Sequence, residues 1–262
     1  MQFSFDLISD LHIETWNEFN WEGQATSPYC VVAGDVARDP EIVYETLEHL
    51  SQCYQSVFYI DGNDEHRYYL EDLGSSYQLL DRNLQSINNL VYMQANVVII
   101  NGVAILATNG WWGFDFDNDL DIDQSCLWYC DKNNVPNFVT DSITSLSLND
   151  TAYMVNSVRK LQTYQDVKSI IIVTHTVPAP WLVNHDIDLV DTWRFNQLGN
   201  KHMRLVLEED TEHKIKTWCF GHYHKSVDRF QDGIRYVNNC RGRGDTDWSQ
   251  SPYYPKRIAI DY

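Results

Sequence analysis

Residues 217–224 read TWCFGHYH and residues 170–178 read IIIVTHTVP. Each is a short apolar run, rich in β-branched and aromatic residues, that ends on histidine, so both read as strands that stop at a chemical group. Working outward, the same pattern recurs three times. FDLIS runs into Asp10-Leu11-His12, VVA into Gly34-Asp35, and VFYI into Gly62-Asn63-Asp64-Glu65. In an open α/β sheet the loops at the carboxyl ends of parallel strands form the ligand crevice. Five strand ends therefore bring His12, His175, His222, His224, Asp10, Asp35 and Asn63 toward one edge.

The rest of the chain supplies a mixed sheet system. Apolar runs predict strands over 3–9, 29–33, 56–60, 97–100, 103–108, 169–174, 217–220, 226–231, 234–238 and 257–262. Asn101-Gly102 and Asp232-Gly233 mark two hairpins, because both dipeptides tolerate the positive φ of a type I′ turn. Asp39 caps a helix with Pro40 in its first turn and Ile42, Val43, Leu47 and Leu50 along one side. Further helices are expected over 65–86, after Ser147 with Met154, Val158 and Leu161 on one face, and over 199–209. No repeat, linker or low-complexity stretch divides residues 1–262, so one domain is the simplest account. The stretch 111–130, WWGFDFDNDLDIDQSCLWYC, stands apart. Its alternating aspartates lack the glycine of a calcium loop, with Leu120 or Ile122 in its place, and read as a solvated face of an extended surface segment.

The 262 residues carry 19 Lys+Arg against 37 Asp+Glu, a net charge of −18. That excludes a broad basic face for duplex nucleic acid. It leaves a small phosphate ligand open, because bound cations reverse the local sign. No run of 18 apolar residues suggests a membrane span, and the first residues read as a strand rather than a signal peptide. Cys30 and Cys219 lie inside apolar runs as core thiols, and the six cysteines suit a reduced, cytoplasmic protein better than a disulfide framework.

Carboxylate, amide oxygen and imidazole suit Mn²⁺, Fe or Zn²⁺ rather than a soft ion. Seven such groups exceed what one four-coordinate ion needs and suit two divalent metal ions sharing a bridging carboxylate, an arrangement that can clamp a phosphoryl group. The G-H-x-H element is specific: for 12 Gly and 9 His in this length, chance supplies about 0.014 matches.

Taken in order, the motifs resemble those of the calcineurin-like metallophosphoesterase family, nearest to its bacterial-type single-domain members. Where those read SDLH, AGD, GNHE, THxxP, GHxH and an N-P-R-G-like element, this chain has SDLH, AGD, GNDE, THTVP, GHYH and NNCRG. The resemblance spans nearly the whole chain. It implies a four-layer α/β/β/α sandwich of two mixed β-sheets flanked by helices. It also implies two metal sites: Asp10, His12, Asp35 and His224 for the first, and Asp35, Asn63, His175 and His222 for the second, with Asp35 bridging.

One position departs from the pattern. The family histidine that follows the motif asparagine, assigned to phosphate stabilisation and leaving-group protonation, is Asp64 here. A carboxylate beside two dications is ionised at neutral pH, a poor acid that repels phosphate. Three readings stay open: Asp64 turns away and His66 supplies the proton, the leaving group needs no acid, or the site binds metal with little or no turnover. Arg241, in the CRGRG stretch, is a candidate phosphate ligand alongside Asn63, or else a loop arginine paired with a local carboxylate such as Asp245. Trp111 and Trp112 read as packing residues that can also stack a ring, His185 as a second candidate pocket residue, and 111–150 and 176–200 as cap segments. The expectation is a phosphoesterase that leans to diesters, uses a hydroxide held between two ions, and takes a small, nucleotide-like substrate. A phosphomonoesterase and a non-catalytic binding module of the same fold are the alternatives. A nuclease for polymers is disfavoured by the charge and by the absence of a Lys/Arg cluster along the sequence.

Overall fold

A computed structural model describes residues 2–261 other than 18, 118, 184–191 and 247–248. His185 lies outside the described residues. The elements follow as β1 (Gln2–Ile8), β2 (Tyr29–Ala33), α1 (Pro40–Cys53), β3 (Ser56–Ile60), α2 (Leu73–Leu84), β4 (Leu90–Tyr92), β5 (Asn96–Ile100) and β6 (Val103–Ala107). Then come α3 (Ile122–Asn133), α4 (Phe138–Gln162), β7 (Ser169–Val173), α5 (Arg204–Glu208), β8 (Ile215–Phe220), β9 (Val227–Gln231), β10 (Ile234–Asn238) and β11 (Lys256–Asp261).

Two sheets result. The first is ordered β11-β1-β2-β3-β4, with β1 to β4 parallel and β11 antiparallel to β1. The second is ordered β5-β6-β7-β8-β10-β9, with a parallel centre and an antiparallel hairpin partner at each edge. Their inner faces pack together: Phe5, Leu7, Val31 and Phe58 of one meet Ile105, Ile171, Cys219 and Val237 of the other. On the outer face of the first sheet, Val43, Leu47 and Leu50 of α1 and Leu80 and Leu84 of α2 cover Ile8, Val32 and Tyr59. Met154, Val158 and Leu161 of α4 and Val206 of α5 cover Ala104, Ile170 and Trp218 of the second. This is the expected four-layer sandwich. Every parallel strand of the two sheets except β4 and β6 runs into one of the motif loops or into the 239–244 stretch.

The two hairpin turns have φ of 50° and 82° at Asn101 and Gly102, and 53° and 83° at Asp232 and Gly233, as a type I′ turn needs. Asp39 caps α1 through the backbone N–H of Glu41. The predicted helices are corrected at their starts. Residues 64–66 form a separate 3-10 turn, and α2 begins at Leu73 under an Asp72 cap rather than near Glu65. Helix α4 begins at Phe138, ahead of Ser147. The segment over 199–209 divides into a 3-10 turn, Lys201–Met203, and α5. Strand β4 is three half-buried residues, too short for an apolar signature.

The largest correction is in 111–130. Trp111, Trp112, Phe114 and Phe116 are buried, and Ile122–Asn133 is helical rather than extended. Asp121 accepts from the Gln124 backbone N–H at 2.9 Å and Asp123 sits in the first turn, so part of the aspartate alternation is helix capping. All six cysteines are free, and Cys30 and Cys219 are buried. Among the described residues no helix is long and apolar enough to cross a membrane.

Phe58, buried between the sheets, tests this core. Phe58→Ala is expected to lower stability by about 3–5 kcal/mol, read by equilibrium urea unfolding; a loss below about 1 kcal/mol would show that the sheets do not depend on packing at that position.

Candidate metal centre

The seven sequence-selected residues meet at one edge of the two sheets. Asp10 and His12 follow β1, Asp35 follows β2, Asn63 follows β3, His175 follows β7, and His222 and His224 follow β8. Five of them have left-handed backbone: Asp10 (φ 50°), His12 (42°), Asp35 (53°), His222 (66°) and His224 (52°). For a residue with a Cβ this conformation costs about 1–2 kcal/mol, and such strain clusters at functional sites. Three glycines permit the crowding: a Cβ on Gly34 (φ 85°) would strike the His175 ring. A Cβ on Gly62 would strike the Asp35 carboxylate, and one on Gly221 would strike Asp10 and the Ala33 carbonyl.

The ligand atoms form two overlapping groups. Asp10, His12, Asp35 and His224 lie within 4.8 Å of one another, as do Asp35, His175 and His222. Asp35 belongs to both, and Asn63 Oδ1 lies 3.3 Å from His175 Nε2. The Nε2 atoms of His12 and His224 are 2.9 Å apart, and His224 Nε2 is 3.4 Å from Asp10 Oδ1. Ring orientation is set from behind: His175 Nδ1 donates to the Ala33 carbonyl at 2.9 Å, and His222 Nε2 donates to the Gln197 carbonyl at 3.0 Å. The His222 backbone N–H donates to Asp10 Oδ1, and that of Asp64 to Asp35 Oδ1. Glu65, which sequence reading passed over as a mere end of its motif, gathers the backbone N–H groups of Asp35, Val36 and Gly62 and the Tyr59 hydroxyl. Burial and Asp35 push its carboxyl up to about 8.

The electrostatics call for positive charge. Burial alone would raise the Asp10 and Asp35 carboxyls, yet the surrounding imidazoles hold both well below the usual carboxylate range. Burial opposes protonation of His175, but Asp35 and Asp10 overcome it and push that imidazole up to about 10. His222, buried beside His175, goes down to about 3 and is neutral. Asp10 Oδ2 is buried without a hydrogen-bond partner. This donor set of carboxylates, imidazoles and one amide oxygen, grouped twice around Asp35, fits two divalent cations.

Asp64 points into the site rather than away. Its Oδ2 lies 3.0 Å from Arg38 Nε, 3.4 Å from His12 Nδ1 and 3.5 Å from Arg243 Nη1. Burial and Asp35 act against its ionisation, but His12 and Arg38 prevail and keep it a carboxylate. His66 faces Asp61 and Ser76. Its ring nitrogens bond Asp61 Oδ2 at 2.9 Å and Ser76 Oγ at 2.8 Å, and it is fully buried against Tyr77 and Trp111. The Arg241 guanidinium stacks 4.0 Å over the Trp16 ring, and Arg243 of the same stretch lies beside Asp64.

A cleft of about 260 Å³ adjoins the centre, lined by Asn63, Asp64 and His222 together with Arg38, Arg67, Lys132 and Arg194. The Lys/Arg cluster absent along the sequence is thus assembled in space. Helix α3 contributes Lys132, Trp128 and Tyr129, and the 3-10 turn Thr192–Gln197 contributes Arg194 and Gln197. Trp112 also lines the cleft and stacks on His222 at 5.5 Å. A larger cavity of about 520 Å³, lined by Phe116, Trp181, Met203 and Trp218 among others, includes none of the seven ligand residues.

No known family profile matches the sequence, and no curated protein sequence does. Solved structures match over most of the chain. Phosphopantetheinyl hydrolase from Mycobacterium tuberculosis is 18% identical with a TM-score of 0.71, covering 97% of this chain and 95% of its own. A dimetal phosphatase from Danio rerio is 12% identical with a TM-score of 0.55, covering 97% and 91%. A putative 5′-nucleotidase from Staphylococcus aureus is 12% identical with a TM-score of 0.52; all of this chain aligns, to 51% of that protein's length. The chain therefore shares its two-sheet α/β architecture with solved structures named as a phosphopantetheinyl hydrolase, a dimetal phosphatase and a putative 5′-nucleotidase.

His175 provides a test of the centre. With its imidazole pushed up to about 10, it holds a proton at neutral pH in the metal-free protein. Cation binding must expel that proton, so apparent affinity for Mn²⁺ is expected to rise with pH toward about 10. In the metal-free protein the same group adds stability that is fully present below its ordinary 6.5 and lost as pH rises through about 10. Calorimetry at pH 7 in buffers of different ionisation enthalpy reads the proton count; zero release would remove His175 from the ligand set.

Proposed function

We propose that this chain is a two-metal phosphoester hydrolase for small substrates, with diesters preferred over monoesters. The observation that carries this reading is the convergence of seven ligand residues into two groups sharing Asp35, beside a cleft lined by cations. Asp10, His12, Asp35 and His224 would hold one ion, and Asp35, Asn63, His175 and His222 the other. Mn²⁺, Fe or Zn²⁺ bound there supply electrophilic stabilisation of phosphoryl charge and a nucleophile at neutral pH.

The chain's own residues do the rest. Asp64 draws Arg38 and Arg243 to one oxygen, while Arg38 also lies 4.0 Å from Glu14 and Arg243 Nε donates to Asp245 at 3.3 Å. Asp64 thus positions arginines rather than repelling phosphate. Arg38 lines the cleft, and its remaining N–H groups are suited to phosphoryl oxygens. Asn63, also in the cleft, can add an amide N–H. Asp64 is ionised and His66 is fully committed, so neither candidate acid serves as a proton donor. That supports substrates whose leaving group needs little protonation. It also supports a diester, whose reacting phosphoryl carries one negative charge where a monoester dianion carries two. The similar structures named for phosphopantetheinyl and nucleotide chemistry favour a small organic phosphoester, and Trp112, Trp128 and Tyr129 offer apolar walls for its organic part.

Turnover decides the reading. With Mn²⁺, a bis-aryl phosphate is expected to be hydrolysed faster than the matching monoester, and Asp35→Ala is expected to remove both activities. Equal or faster monoester hydrolysis would reverse the diester preference, and no hydrolysis of either ester would favour a binding role.

Arg38→Gln and Asp64→Asn are each expected to lower kcat/KM about 10- to 100-fold, the effect of losing a hydrogen bond to a charged group. A faster Asp64→Asn variant would show that the carboxylate merely repels.

A further inference from the structure

We infer that the cleft beside the metal centre binds a second phosphate of the substrate, separate from the ester that is cleaved; this deepens the hydrolase reading and rests on it. Two independent observations carry the inference. The first is charge. Among the described residues, Arg67, Lys132 and Arg194 line the cleft without an ion pair to any carboxylate. Arg67 donates to the neutral Asn133 amide, and Lys132 Nζ lies 6.0 Å over the Trp128 ring. In a chain with 37 acidic and 19 basic residues, three cations without acidic partners on one cleft run against the composition. Asp64 is the one carboxylate among the described residues that line the cleft, and Arg38 and Arg243 already hold it, so the remaining positive charge favours an anionic ligand.

The second observation is hydrogen bonding. Trp112 is 2% exposed and Gln197 is 8% exposed, and both line this cleft. The indole Nε1–H of Trp112 and the amide Nε2 of Gln197 have no hydrogen-bond partner. Buried donors are normally paired, and an acceptor-rich ligand recovers what an unpaired one costs. Three cations and two neutral N–H donors exceed what a single carboxylate accepts and suit a phosphate.

Position separates this group from the scissile one. The metal-ligand residues and Arg38 serve the ester. Lys132 comes instead from α3 and Arg194 from the 192–197 turn, elements that carry none of the seven ligand residues, while Gln197 of that turn joins them to the centre by accepting from His222. The volume of about 260 Å³ lies below the ~300–1,000 Å³ of clefts that engulf a drug-sized molecule. The cleft therefore takes a phosphorylated head with the adjoining organic part against Trp112, Trp128 and Tyr129, and leaves the remainder of the substrate outside.

The test is binding, read by calorimetry, of adenosine 3′,5′-bisphosphate and adenosine 5′-monophosphate, with Mn²⁺ and again with EDTA. The bisphosphate is expected to bind about tenfold more tightly in both conditions, and the advantage to shrink with added salt. A Lys132→Gln, Arg194→Gln double variant is expected to lose most of that advantage, about threefold per charge. Trp112→Phe, which keeps the ring and removes the N–H, is expected to narrow it while metal content stays constant. Lys216→Gln, a remote surface charge, serves as the control. Equal binding of the two nucleotides, or an advantage that survives the double variant, would overturn the inference. The hydrolase reading stands or falls separately, on turnover of the aryl esters.

Discussion

Asp10 and Asp35 are buried carboxylates held side by side, and the edge of the molecule is organised around keeping both ionised. Burial opposes their charge, and only the ring of imidazoles reverses that cost. The crowding is steep enough that five ligand residues take left-handed backbone and three motif glycines, Gly34, Gly62 and Gly221, have no room for a Cβ. Two sheets sealed face to face by Phe5, Phe58, Ile171 and Val237 supply the rigidity that holds these conformations in place. Glu65 adds a second brace by drawing three backbone N–H groups of the adjoining loops onto one carboxyl.

The same logic explains Asp64. In isolation a third carboxylate at this edge looks like a defect, since it adds negative charge where phosphate must approach. In place it is one corner of a trio with Arg38 and Arg243, and its charge is spent on those guanidiniums. Arg38 also lies 4.0 Å from Glu14, so positive charge is already present among His12, Glu14 and Asp64, a third cluster of ligating groups.

Legibility followed the physical range of each signal. The strands were readable because a buried strand of a parallel sheet is a continuous apolar run, and the ligands because each follows such a run directly. Helix α3 was not readable, since its few buried positions, Ser125, Tyr129 and Cys130, give little periodicity and its capping aspartates continue an alternating acidic pattern. His66 looked available two residues from Asp64. The 3-10 turn at 64–66 instead carries it to the opposite side, into a bond with Asp61.

The sequence by itself determined most of the strands and the identity of seven candidate ligands, because apolar patterning and short motifs act over a few residues; the four-layer sandwich was legible only through the resemblance that those motifs carry. Only the tertiary structure decided which arginines line the cleft and which of them Asp64 touches. Arg38, Arg67, Lys132, Arg194 and Arg243 are scattered over some 200 positions of an acidic chain. Their charges act through space, so their convergence exists only once α3, the 192–197 turn and the loops after β2, β3 and β10 have been folded against one another.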